Sequence, residues 1–146
     1  MNKFLLPFQW KLAGIVLTIA GTISALFYSL FDFHYKMPVF AVYSSFLETK
    51  TFATFRTNVA DEITLILILA GLSLIVFSKE KHEAAGMDAL RLKALFMALI
   101  LNILFLLFSI LFIFGTGFIA MLVLNIFSFV ILYLVFFYGY LRKLKA

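Results

Sequence analysis

Ser78-Lys79-Glu80-Lys81-His82-Glu83-Ala84-Ala85-Gly86-Met87-Asp88-Ala89-Leu90-Arg91-Leu92-Lys93 is the densest run of charge in an otherwise apolar chain. Its reading decides the fold. Long apolar runs flank it on both sides, so the side of a membrane on which it lies sets the topology. Lys79 and Glu83 are four residues apart, and Asp88 and Arg91 three, spacings that let each pair meet on a helix face. Gly86 is placed to end one helix and Asp88 to cap the next. The expectation is two helices that extend past the membrane and reverse in a tight turn at residues 85–87.

Upstream, residues 63–77 form an apolar run of 15, roughly 22 Å of helix. That is short of the ~30 Å hydrocarbon layer, so the helix must continue past both ends, over about 59–84. Asn58 can cap its free N–H groups, and Asp61 and Glu62 sit in the first turn, where the helix dipole favours negative charge. Downstream, residues 92–114 give 23 apolar positions, Gly115-Thr116-Gly117 a very short turn, and 118–141 another 24. The predicted third helix is 88–114 and the fourth 118–141, antiparallel neighbours.

The first helix is read from residues 12–31, a run of 20, about the length that spans a bilayer and long for a cleaved signal core. Trp10 and Tyr28 suit the two interfaces. Gly14, Thr18, Gly21, Ala25 and Ser29 repeat at spacings of four and three, a stripe of small side chains that lets another helix approach closely. Two uses fit it: packing inside the chain, or a homo-oligomer through Gly14, Thr18, Gly21 and Ala25.

The only long connection is 32–60. Within it, 39–43 and 51–57 are rich in aromatic and β-branched residues and read as strands, with a polar turn between them. The preferred reading is a β-hairpin lying on the outer membrane surface. The alternative is an interfacial helix, because Val39, Val42, Tyr43, Phe46 and Leu47 also fit a helical stripe.

Composition agrees with a membrane solvent. Of 146 residues, 65% are hydrophobic and only 13% charged, against about a quarter charged in soluble domains. The fold class expected is therefore an all-α membrane protein, one integral domain over 1–146, with four spans and the 32–60 loop outside. With both termini cytoplasmic, nine of the twelve Lys and Arg residues lie inside and three, Lys36, Lys50 and Arg56, outside. This is the N-in, C-in arrangement. The formal charge of +5 then reflects helix ends and lipid headgroups, not nucleic acid. The chain has no cysteine, which excludes disulfides, thiolate chemistry and cysteine-ligated metals. His34 and His82 lie in different predicted loops. No metal or cofactor is expected, and no catalytic motif with spaced nucleophile and base is present.

Three groups of residues are candidate sites. Asp61 and Glu62 lie at the outer mouth of the second helix as a ligand or ion contact, or as first-turn charge. They point about 100° apart, so they do not easily share one ligand. Asn102 and Asn125 lie roughly 13 Å and 12 Å from opposite membrane faces. In antiparallel helices they sit at different heights, and Ser109 is nearer in height to Asn125 and could bond to it; the alternative is that these residues line a polar cavity. Lys79, Glu83, Asp88 and Arg91 form the cytoplasmic tip, where Arg91 snorkels or pairs with Asp88 or Glu83.

The segments Val39-Phe40-Ala41-Val42-Tyr43-Ser44-Ser45-Phe46, Glu48-Thr49-Lys50, Asp61-Glu62-Ile63, Phe77-Ser78-Lys79-Glu80-Lys81 and Arg91-Leu92 carry a pattern, together with Asn102, Gly115, Phe118 and Asn125-Ile126-Phe127. In these the chain resembles a family of small, four-span bacterial inner-membrane proteins with no assigned function. The resemblance implies the bacterial inner membrane and no chemistry. It weakens at His82 and Ala84-Ala85-Gly86, where the family is more acidic. The functional expectation is a non-enzymatic accessory, sensory or regulatory module with a membrane or cytoplasmic protein partner. The alternative is an oligomeric transporter or channel subunit using Asp61 and Glu62.

Overall fold

The computed structural model describes residues 5–31, 35–44, 50–81, 83 and 86–145. The described elements are helix α1 (Phe8–Phe31), strands β1 (Lys36–Ser44) and β2 (Lys50–Asn58), then helices α2 (Ala60–Val76), α3 (Met87–Phe112) and α4 (Thr116–Lys145). Of the turn predicted over 44–50, residues 45–49 lie outside the described residues, as do His34, His82 and Ala84-Ala85. Three helices, α1, α3 and α4, are long and apolar enough to cross a membrane. The chain divides into two compact units, 1–15 with 72–146, and 16–71.

In the first unit α3 and α4 pack antiparallel, joined through Ile113, Phe114 and Gly115. Met87, Ala94 and Ala98 fall on one stripe of α3, with Arg91 between them. The two alanines are fully buried beneath Tyr133, Phe137 and Leu141 of α4, so small residues on one helix accept large ones on the other. Gly86 (φ 90°) opens α3 and Gly115 (φ 72°) precedes α4, both in the left-handed region that glycine enters without steric cost. The Gly86 carbonyl accepts from Ala89 and Leu90. Gly86, not Asp88, therefore holds the N-cap position, and Asp88 lies in the first turn.

The second helix differs from expectation. It stops at Val76, not near residue 84. The Ser78 hydroxyl donates to Leu74 O, and the chain then pairs with residues ahead of α1. Leu6 N–H donates to Phe77 O at 2.8 Å and Lys79 N–H to Leu6 O at 2.9 Å. Two backbone groups that would have continued a helix are satisfied instead by another segment, so helical bonding has no advantage there. The proposed helix-face pairing of Lys79 with Glu83 accordingly does not form.

In the second unit, β1 and β2 form an antiparallel hairpin from Lys36↔Asn58 to Ser44↔Lys50. The strand reading holds and the interfacial helix does not. Asn58 works as anticipated: its side-chain oxygen accepts from Ala60 N–H at 3.3 Å, and also from Tyr35 N–H at 2.8 Å, closing the neck of the hairpin. The Gly21 position in α1 lies against Ile68 and Leu67 of α2, and the hydroxyls of Ser24 and Thr64 meet at 2.8 Å. At Gly21 the small-residue stripe thus serves packing within the chain.

Candidate functional site: an ionic clasp around residues 77–91

Two cations, Lys11 on α1 and Arg91 on α3, are 7% and 3% exposed. Burying a charge is costly unless it is paired and hydrogen-bonded. Both are paired by the segment between α2 and α3. Lys11 Nζ donates to Glu80 at 2.5 Å and lies 5.0 Å from the centre of the Tyr138 ring, while Tyr138 O–H reaches the same Glu80 oxygen at 3.3 Å. Arg91 donates through both terminal nitrogens to Glu83, at 2.6 and 3.2 Å, with Asp88 at 3.5 Å. The guanidinium also covers the Phe137 ring at 5.5 Å. A planar fork on a carboxylate with an aromatic face behind it suits Arg better than Lys. Beside the clasp lies a cavity of about 290 Å³, lined chiefly by apolar side chains including Leu5, Val76, Phe77, Leu95 and Tyr133, with Arg91 at its wall.

Of the four tip residues predicted, Glu83, Asp88 and Arg91 are joined by hydrogen bonds, and Lys79 acts on Glu83 through its charge. Lys11, Glu80 and Tyr138 were not anticipated. Lys11 and Glu80 are 69 positions apart, and no local spacing announces their meeting.

Hydrogen bonding from Arg91 holds the Glu83 carboxyl below its ordinary value of 4.5, against the opposing effect of desolvation, and the nearby Lys79 charge acts in the same direction as Arg91. The folded value lies below the unfolded one. The clasp's contribution is therefore complete above the ordinary carboxylate range and fades as pH falls through the folded value. Glu80 N–H donates to Glu83 at 2.9 Å. Its hydrogen exchange, corrected for intrinsic rate, is expected to lose protection on acidification below the ordinary value, and Glu83→Gln removes that pH dependence.

Asn102 and Asn125 do meet, which corrects the expectation of unequal heights. Asn102 Nδ2 donates to Asn125 Oδ1 at 3.1 Å, Asn125 Nδ2 to Asn102 O at 3.3 Å, and Ser128 Oγ to Asn102 Oδ1 at 2.6 Å. The offset inferred from sequence was about one helical turn, ~5 Å, which two amide side chains bridge. Ser109 is buried and donates instead to Phe105 O in its own helix. Asn102→Val removes the two interhelical bonds made by its side chain, leaving the one accepted by its backbone carbonyl, and is expected to cost about 1–2 kcal/mol, read from unfolding of the purified protein in micelles; Ser109→Ala costs less, since its bond is local.

Asp61 and Glu62 are both exposed in the first turn of α2. A cavity of about 280 Å³ in their unit is lined by Ser24, Phe27, Tyr28, Tyr35, Ala60 and Ile63, and by neither carboxylate.

Three apolar helices of spanning length, a polar triad between two of them and charges gathered at helix ends are consistent with one class, the multi-pass helical membrane proteins. No protein-family model, curated protein or solved structure matches the chain.

Proposed function

We propose that the chain is a non-enzymatic accessory module of the bacterial inner membrane with four spans and both termini in the cytoplasm, and that its 77–86 segment meets an acidic surface of a protein partner. The observation that carries this is how charge is divided in the clasp. Glu80 and Glu83 are turned toward the buried Lys11 and Arg91, with side chains 16% and 21% exposed, while Lys81 is exposed and Lys79 half-buried. In sequence the acids nearly cancel the bases. With the acids engaged internally, the outward charge among the described residues of the segment is basic. Asp61 and Glu62, exposed and not among the residues lining the cavity at Ser24 and Tyr35, lend less support to a transporter.

The topology rests on the nine-to-three distribution of cations. It also rests on α2, whose 17 residues make roughly 26 Å of helix, enough to cross with slight thinning of the bilayer. With no native cysteine, single cysteines at Arg56, Lys81 and Lys143 test it. A membrane-impermeant maleimide should label position 56 in intact spheroplasts, and 81 and 143 only after permeabilisation. For the partner, a photocrosslinking residue at Lys81 should capture one membrane or cytoplasmic protein, and Lys79→Glu should abolish capture. Crosslinks to lipid alone would overturn the reading.

A further inference from the structure

The hairpin has one face left open. Register and alternation place Lys36, Pro38, Phe40, Phe52, Thr54 and Arg56 on one side of the sheet, and all six are exposed. Phe40 and Phe52, 63% and 73% exposed, lie with ring centres 6.4 Å apart, an aromatic pair presented outward. Phe52 adopts φ 49°, a backbone conformation that a bulky residue rarely enters. No acidic side chain occurs among the described residues of this face. The opposite face is partly covered: Val39 and Thr57 are half-buried.

The attachment of the hairpin limits where this face goes. The last turn of α1 is apolar and open, with Leu30 and Phe31 72% and 70% exposed, as suits contact with acyl chains. Four residues separate Phe31 from Lys36, and Val59 alone separates β2 from α2. The root of the hairpin therefore stays within roughly 17 Å of the hydrocarbon edge. Each strand has nine residues, about 30 Å. Standing upright, the hairpin would lift an exposed Phe pair into water. Lying flat, it sets the same pair in the interfacial layer and brings Lys36 and Arg56 to phosphate level, where long basic side chains reach headgroups.

We infer that the Lys36–Phe40–Phe52–Arg56 face of the hairpin is a docking surface for anionic phospholipid, holding the hairpin flat on the bilayer. This rests on α1 and α2 being membrane-embedded and is indifferent to which side the hairpin occupies.

Nitroxide labels on single cysteines test it in nanodiscs of phosphatidylcholine with a quarter phosphatidylglycerol. A label at Leu30 reports whether α1 is embedded, so failure of the spanning reading shows there first. A label at Thr54 should be several-fold better shielded from a water-soluble nickel chelate than one at Met37, on the opposite face. Lys36→Gln with Arg56→Gln should reduce that shielding to the level seen in phosphatidylcholine alone. In a Trp10→Phe background, Phe52→Trp should be quenched by brominated lipid, a second measure that needs no label. With Leu30 embedded, equal nickel access at 54 and 37 would overturn the proposal. So would spin–spin broadening between two copies at 54, which would make a second chain the occupant.

Discussion

Glu83→Ala is expected to destabilise the protein by about 2 kcal/mol, more than Arg91→Met does. The asymmetry follows from burial. Arg91 is 3% exposed, and removing Glu83 leaves a guanidinium out of water with Asp88, at 3.5 Å, as its remaining carboxylate among the described residues. A buried charge stripped of its partner costs about 3–5 kcal/mol, reduced here because Asp88 remains and the Glu83 side chain is 21% exposed. Arg91→Met removes the buried charge itself. Glu83 then turns to water, and the methionine packs on the Phe137 ring that the guanidinium had covered. The expected loss is about 0–1 kcal/mol, since replacing a buried ion pair by apolar volume is often neutral. Reversible unfolding in mixed micelles, run as a double-mutant cycle, measures both. A larger loss for Arg91→Met would show that the pair contributes by attraction rather than through the cost of an orphaned cation.

Gly21→Val is expected to cost about 3 kcal/mol and Gly21→Ala about 1 kcal/mol. A Cβ at position 21 would stand 2.7 Å from Ile68 Cγ1, 2.9 Å from Ile68 N and 3.1 Å from Leu67 Cβ. The isoleucine side chain can rotate away, but the backbone nitrogen of α2 cannot. Alanine in a helix gains roughly 0.5–1 kcal/mol over glycine, and overpacking costs about 1–3 kcal/mol, so the clash prevails. Gly139→Ala is the control. It lies within α4 with no atom inside 4 Å of a built Cβ, and it should be neutral or stabilise by about 0.5 kcal/mol. Equal effects at 21 and 139 in the same unfolding assay would mean that α1 and α2 separate at this point.

Much of this was legible in one dimension because its causes are local. Runs of more than twenty apolar residues have one low-energy use, as spanning helices, since in lipid a backbone must bond within its own segment. β-Branched and aromatic residues at 39–43 and 51–57 marked two strands that extend to 36–44 and 50–58. The left-handed turns at Gly86 and Gly115 follow from the one residue that enters that region freely. The Asn58 cap needs only a short acceptor at the right place.

The charged stretch at 78–93 marks where such reading ends. Charge density identified it as the reversal between α2 and α3, and three of the four residues singled out there do assemble. Sequence could not show that α2 stops at Val76, because Leu6, whose backbone takes the bonds that would have continued it, lies some seventy positions away and acts only once the chain is folded. Nor could it show that Glu80 and Glu83 neutralise buried cations, leaving Lys81 outward. Helix existence, strand character and turn position depend on neighbours within a few residues. Helix length, the pairing of Asn102 with Asn125 and the direction of each charge depend on which distant group satisfies a polar atom removed from water, and only the tertiary structure decides that.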